Sequence, residues 1–168
     1  SLVSALYIPA TKLAPYCYEY MYSGCTGLET ASHLPATTLA DACYSGMFEG
    51  CKNLRNVPCS LPATELTTRC YENMFKNCAT LNEAPSLPAT TLTDYCYKSM
   101  FEGCMSLTTM PKLVATTLTK GCYESMFEGC TNIKQMPKLA ATQLTENCYS
   151  RMFKGCVNLE GEVELQAV

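Results

Sequence analysis

A nine-residue phrase, C-Y-x-x-M-F-x-G-C and close variants of it, begins at Cys17, Cys43, Cys70, Cys96, Cys122 and Cys148. The step is 26 residues, except for 27 between Cys43 and Cys70, where Cys59 is inserted between Pro58 and Ser60. A fixed period in the twenties marks a stack in which each unit contacts only its neighbours. No linker interrupts the pattern, so the sequence reads as one domain over 1–168. Residues 1–16 form a partial N-terminal coil and 157–168 a C-terminal strand or cap.

Each phrase has the pattern of an amphipathic helix. In the fourth coil Leu92, Cys96, Met100 and Cys104 share one sector, with Tyr97 and Phe101 beside them, while Lys98, Ser99 and Glu102 face outward. Thr67, Thr93, Thr119 and Thr145 stand at N-cap positions, and Pro15 takes the first helical slot in the first coil. Gly24, Gly50, Gly103, Gly129 and Gly155 precede the second cysteine of their coils. Asn77 stands in that column of the third coil, which predicts a left-handed C-terminal cap. After the cap, the spacing of Leu107, Met110 and Leu113 predicts a short strand, and strands of successive coils pair in parallel. Prolines in these segments keep the sheet narrow. The expected fold is thus an α/β solenoid, a right-handed stack of about six strand–turn–helix coils with a short parallel sheet.

The phrase M-F-x-G-C-x-x-L followed by a strand and a Leu-Pro turn resembles the BspA-like, or Treponema pallidum-type, leucine-rich repeats. Met100, Phe101, Gly103, Cys104 and Leu107 carry the resemblance, as do Met126, Phe127, Gly129, Cys130 and Ile133. It extends from Leu2 to about Leu165. The resemblance implies a surface or secreted protein of a host-associated microbe, with a role in adhesion and partner binding.

Composition narrows the function classes. The chain is 48% apolar with a net charge of −3, enough to bury a core. Lys and Arg are thinly spread, which argues against nucleic acid, and no apolar run approaches the length that spans a bilayer. The cysteines within one phrase would lie about 12 Å apart on a helix, beyond the reach of a disulfide, and C-x-x-C pairs are absent. No disulfide is therefore expected. The in-register cysteines read as reduced core residues, and Cys59 as a free or intermolecular thiol. His33 is the one histidine and has no apparent partner thiol, so neither a catalytic centre, a metal site nor a cofactor is expected.

Recognition is expected on the strand side, where side chains change from coil to coil while the core repeats. One variable position holds Tyr7, His33, Ser60, Ser86, Lys112, Lys138 and Glu164 in turn, and a neighbouring one includes Arg55 and Lys134. Tyr16 and Tyr20, together with Tyr7, form a second aromatic candidate. Glu160, Glu162 and Glu164 suggest an acidic cap. The resulting expectation is a non-enzymatic module of an extracellular or bacterial cell-surface protein, binding a host protein or glycan, with no membrane insertion and oligomeric state open. The alternatives are a structural spacer or an envelope or virion scaffold without its own ligand, or an accessory binding domain of a larger secreted enzyme.

Overall fold

A computed structural model describes residues 2–161. Among them there is neither an α-helix nor a continuous strand. The strand–turn–helix coil of a leucine-rich-repeat solenoid is therefore not the structure of this chain. Sheet structure amounts to isolated parallel bridges, such as Ser4 with Thr30, Ser60 with Ser86 and Thr117 with Gln143.

Backbone hydrogen bonding explains what replaces the helix. In the first coil Tyr16, Tyr18, Tyr20, Tyr22 and Gly24 donate N–H groups to the carbonyls of Asp41, Cys43, Ser45, Met47 and Glu49 in the next coil, at 2.7–3.0 Å. The intervening N–H groups of Cys17, Glu19, Met21, Ser23 and Cys25 turn back to Ala14, Tyr16, Tyr18, Tyr20 and Tyr22, at 3.0–3.4 Å. Donors thus alternate between the neighbouring coil and a carbonyl three residues earlier. This satisfies the groups that a helix would have paired four residues back.

The alternation requires left-handed backbone at every fourth residue. Tyr16, Tyr20 and Gly24 have φ of 58°, 51° and 72°, and Arg69, Asn73 and Asn77 have φ of 56°, 56° and 60°. Such residues cannot sit in a right-handed helix. The glycine and Asn77 column is left-handed, but it is the third such position in each coil and caps no helix. Pro15 stands second and left-handed Tyr16 third in the turn closed by Cys17 N–H on Ala14, the arrangement of a type II turn. The threonines are not N-caps either. Thr67, Thr93, Thr119 and Thr145 use their backbone carbonyls to accept from Cys70, Cys96, Cys122 and Cys148.

The inward side chains still form one core. Cys96, Met100, Phe101 and Cys104 are fully buried, as are their counterparts in the coils on either side. Tyrosines 18, 44, 71, 97, 123 and 149 stack in one column with centroids 5.8 Å apart. Tyr22 and the five phenylalanines stack in a second column at 5.6–6.1 Å. Each offset pair adds about 0.5–1.5 kcal/mol beyond its burial. Ser99, expected outside, is buried, as is Ser125 in the next coil, although Tyr20 and Arg151 of the same column are exposed. Outward charges pair along the stack instead, as in Lys76–Glu102 at 3.2 Å and Lys98–Glu124 at 3.5 Å.

The inserted residue is absorbed locally. Thr30 pairs with Asn56 and Ser60 with Ser86, both 26 residues apart, so the extra position falls between Asn56 and Ser60 and leaves Cys59 exposed. Glu160 bridges to Gln135, whereas Glu162 and Glu164 lie outside the described residues.

Gly46 tests this architecture by the sign of one substitution. Its φ is 58°, and an added Cβ would meet the ring of Tyr20. In a helix Gly46→Ala would stabilise by about 1 kcal/mol. Here thermal unfolding is expected to show a loss of about 1–3 kcal/mol.

Candidate binding surface

The variable side chains are carried by the segments between the turn-built stretches, where backbone pairing is sparse. Tyr7, His33, Arg55, Ser86, Lys112, Lys134 and Lys138 are exposed and Ser60 is half-buried. Tyr7 is 76% exposed. The structure gathers only part of this set around one concavity. Lys112 and Lys138 flank a depression of about 510 Å³ walled by Met110, Pro111, Leu113, Val114, Pro137 and Ala140. Lys134 borders an adjoining one with Thr108, Thr109, Met110, Gln135 and Met136. On the other side of the same segment Ser86 and Lys112 share a third with Cys59, Pro85, Leu87, Pro88 and Val114. Ser60 meets this region through its bridge to Ser86, while Tyr7, His33 and Arg55 do not line it.

The apolar wall was not among the expected site residues. Its signal is the repeated Met-Pro-Lys-Leu at Met110–Leu113 and again at Met136–Leu139. Proline removes one backbone donor from each copy, as Pro58 and Pro85 do in coils that still pair. From Thr109 through Ala115 no backbone N–H or C=O group meets another backbone group. One interface earlier, by contrast, Leu61 donates to Ser86 and Ser86 to Cys59. Depressions open on both sides of Met110–Val114.

The second aromatic candidate is separate. Tyr16 and Tyr20 border a depression of about 350 Å³ with Glu19, Asp41, Arg69 and Glu72, without Tyr7. Its charges partly neutralise one another, since Arg69 lies 3.7 Å from Glu72. Arg69 also sits 5.3 Å from the Tyr95 ring centroid. At the far end of the outward face, Arg151 donates to Glu128 at 2.7 Å, and that bond first, with Ser125 and Lys154, lowers the Glu128 carboxyl to about 2.

All thirteen cysteines are free thiols, and their chemistry divides by position. The second cysteine of a phrase does more than fill space. Cys51, Cys78, Cys104 and Cys130 donate Sγ–H to the carbonyls of Tyr22, Phe48, Phe75 and Phe101, at 3.0–3.1 Å. Each of those carbonyls already accepts from the cysteine N–H of its own coil, so it is shared between coils. Burial is the main cause that raises Cys43 and Cys122 to about 11, and Cys96 and Cys130 to about 12. These thiols are poor nucleophiles at neutral pH. Among the described residues, no group of three or more His, Cys, Asp or Glu side chains is placed to hold a metal ion. Nor is any helix long and apolar enough to cross a membrane.

Sequence comparison now adds a family. A model of the BspA type leucine rich repeat region matches in six copies, over residues 8–134 and 67–166. The chain belongs to this BspA-type family. No curated protein and no solved structure matches it. Membership does not restore the architecture that the resemblance implied. In this BspA-type chain the repeat is built from left-handed turns and inter-coil hydrogen bonds, as the φ values at Tyr16, Tyr20 and Gly24 require.

Thiol labelling checks the placement of the cysteines. In native protein at neutral pH, maleimide is expected to modify Cys17 and Cys59 rapidly, since they alone are exposed. The nine buried thiols are expected to react only after denaturation. Mass spectrometry of labelled peptides reads the difference.

Proposed function

We propose that this chain is a non-enzymatic recognition module of a bacterial cell-surface or secreted protein, which binds a host protein or glycan. The observation that carries this reading is the contrast between two sets of residues. Cys, Tyr, Met and Phe repeat in the buried columns, whereas the position of Tyr7, His33, Ser60, Ser86, Lys112 and Lys138, exposed in all but Ser60, changes from coil to coil. A fixed core with a changing surface gives one scaffold many possible contact patterns. The concavity around Lys112, and the absence of backbone pairing beside it, place accessible apolar and charged groups together on that face. Membership of the BspA-type family agrees with this role and does not choose the ligand.

Arrays of host matrix proteins and glycans test the reading. The wild-type chain is expected to bind at least one arrayed ligand, and Lys112→Glu to weaken it by about tenfold or more without altering thermal unfolding. If Tyr7→Ala, Lys112→Glu and Lys134→Glu all bind every ligand as the wild type does, this face is not the recognition surface.

A further inference from the structure

We infer that the concavity around Met110–Val114 takes an extended peptide with one large apolar side chain next to an acidic residue. This inference rests on the recognition reading above and names the partner chemistry of the same face. Three observations converge on it. The first is the free backbone. Thr109 through Ala115 makes no backbone hydrogen bond to either neighbouring coil, although equivalent residues one interface earlier do. A run of backbone groups left without backbone partners is what another extended chain pairs with, as in strand addition to a sheet edge.

The second observation is the lining. The depression of about 510 Å³ is walled by Met110, Pro111, Leu113, Val114, Pro137 and Ala140, and Val114 is 41% exposed. Methionine and proline give an adaptable apolar pocket for one large side chain. Sugar rings call for aromatic platforms and convergent hydrogen-bonding side chains. This wall has no aromatic residue, so the apolar anchor of a peptide fits it better than a glycan does.

The third is charge. Lys112 and Lys138 flank the pocket and Lys134 borders the adjoining one. Lys112 is exposed and makes no ion pair among the described residues, unlike Lys76, Lys98, Lys120 and Lys154 on the outward face. A lysine left unpaired beside an apolar pocket favours a carboxylate on the partner, which steers encounter and fixes register. The groove therefore sets an unpaired Lys112 beside the apolar pocket, and the matching peptide carries an apolar residue with Asp or Glu next to it.

Panning a random heptapeptide display library against the folded chain tests the inference. The enriched peptides are expected to carry one Leu, Ile, Met or Phe with Asp or Glu within two positions. Synthesised singly, such a peptide is expected to bind Lys112→Glu and Val114→Glu about tenfold or more weakly than wild type. Lys112→Glu is in turn expected to prefer the same peptide with Lys in place of its acidic residues. Both substituted side chains are exposed, and unchanged thermal unfolding confirms that the variants fold. Enrichment of basic or unrelated sequences, no enrichment at all, or equal binding by wild type and both variants would overturn the inference. If the array ligands are lost with Lys112→Glu while no peptide binds, the recognition reading survives and the peptide assignment alone falls.

Discussion

The structure depends on one constraint, the alternate use of backbone amides within each coil. Residues of one parity send N–H groups to the next coil, and those of the other parity close turns on themselves. Once that parity is set, the left-handed residues, the stacked rings and the shared carbonyls all take fixed positions. Phe75 illustrates the coupling. Its N–H reaches Met100, and its carbonyl accepts both Cys78 N–H and Cys104 Sγ–H. One residue thereby ties three coils together, with its ring stacked between Phe48 and Phe101.

The constraint has a conformational cost. Tyrosine, arginine, serine and asparagine occupy left-handed backbone at φ of 51–60°, at about 1 kcal/mol or more for each residue. The stack tolerates it because in the first five phrases each such N–H is paired across coils, and each coil adds another tier to both aromatic columns. The ladder lapses from Thr109 through Ala115, where depressions open beside the chain. Backbone pairing is thus concentrated in the turn-built stretch of each coil, which holds the stack together.

Much of the core was legible in the sequence, and the local conformation was not. Cys96, Met100 and Cys104, and likewise Tyr97 and Phe101, repeat at four-residue spacing, and over nine residues that is hard to tell from a helical period of about 3.6. Both readings bury these same side chains, so the core residues were assigned correctly on a mistaken backbone. Asn77 pointed to left-handed geometry at one column. Arg69, Ser99 and Tyr95 gave no such warning, because nothing in their chemistry marks a positive φ. On the variable face Lys112, Lys134 and Lys138 were found by their variation. The apolar wall of Met110, Val114 and Pro137 was missed because methionine and proline there look like ordinary packing and turn residues.

The central claim is that amides pair between coils and not along a helix. Scalar couplings transmitted through hydrogen bonds, measured by NMR on isotope-labelled protein, report it most directly. The account expects the amide nitrogen of Phe75 to couple to the carbonyl carbon of Met100, and that of Tyr97 to Cys122. Couplings from Phe75 to Tyr71 and from Tyr97 to Thr93, four residues earlier in each case, would mean a helix and would contradict it.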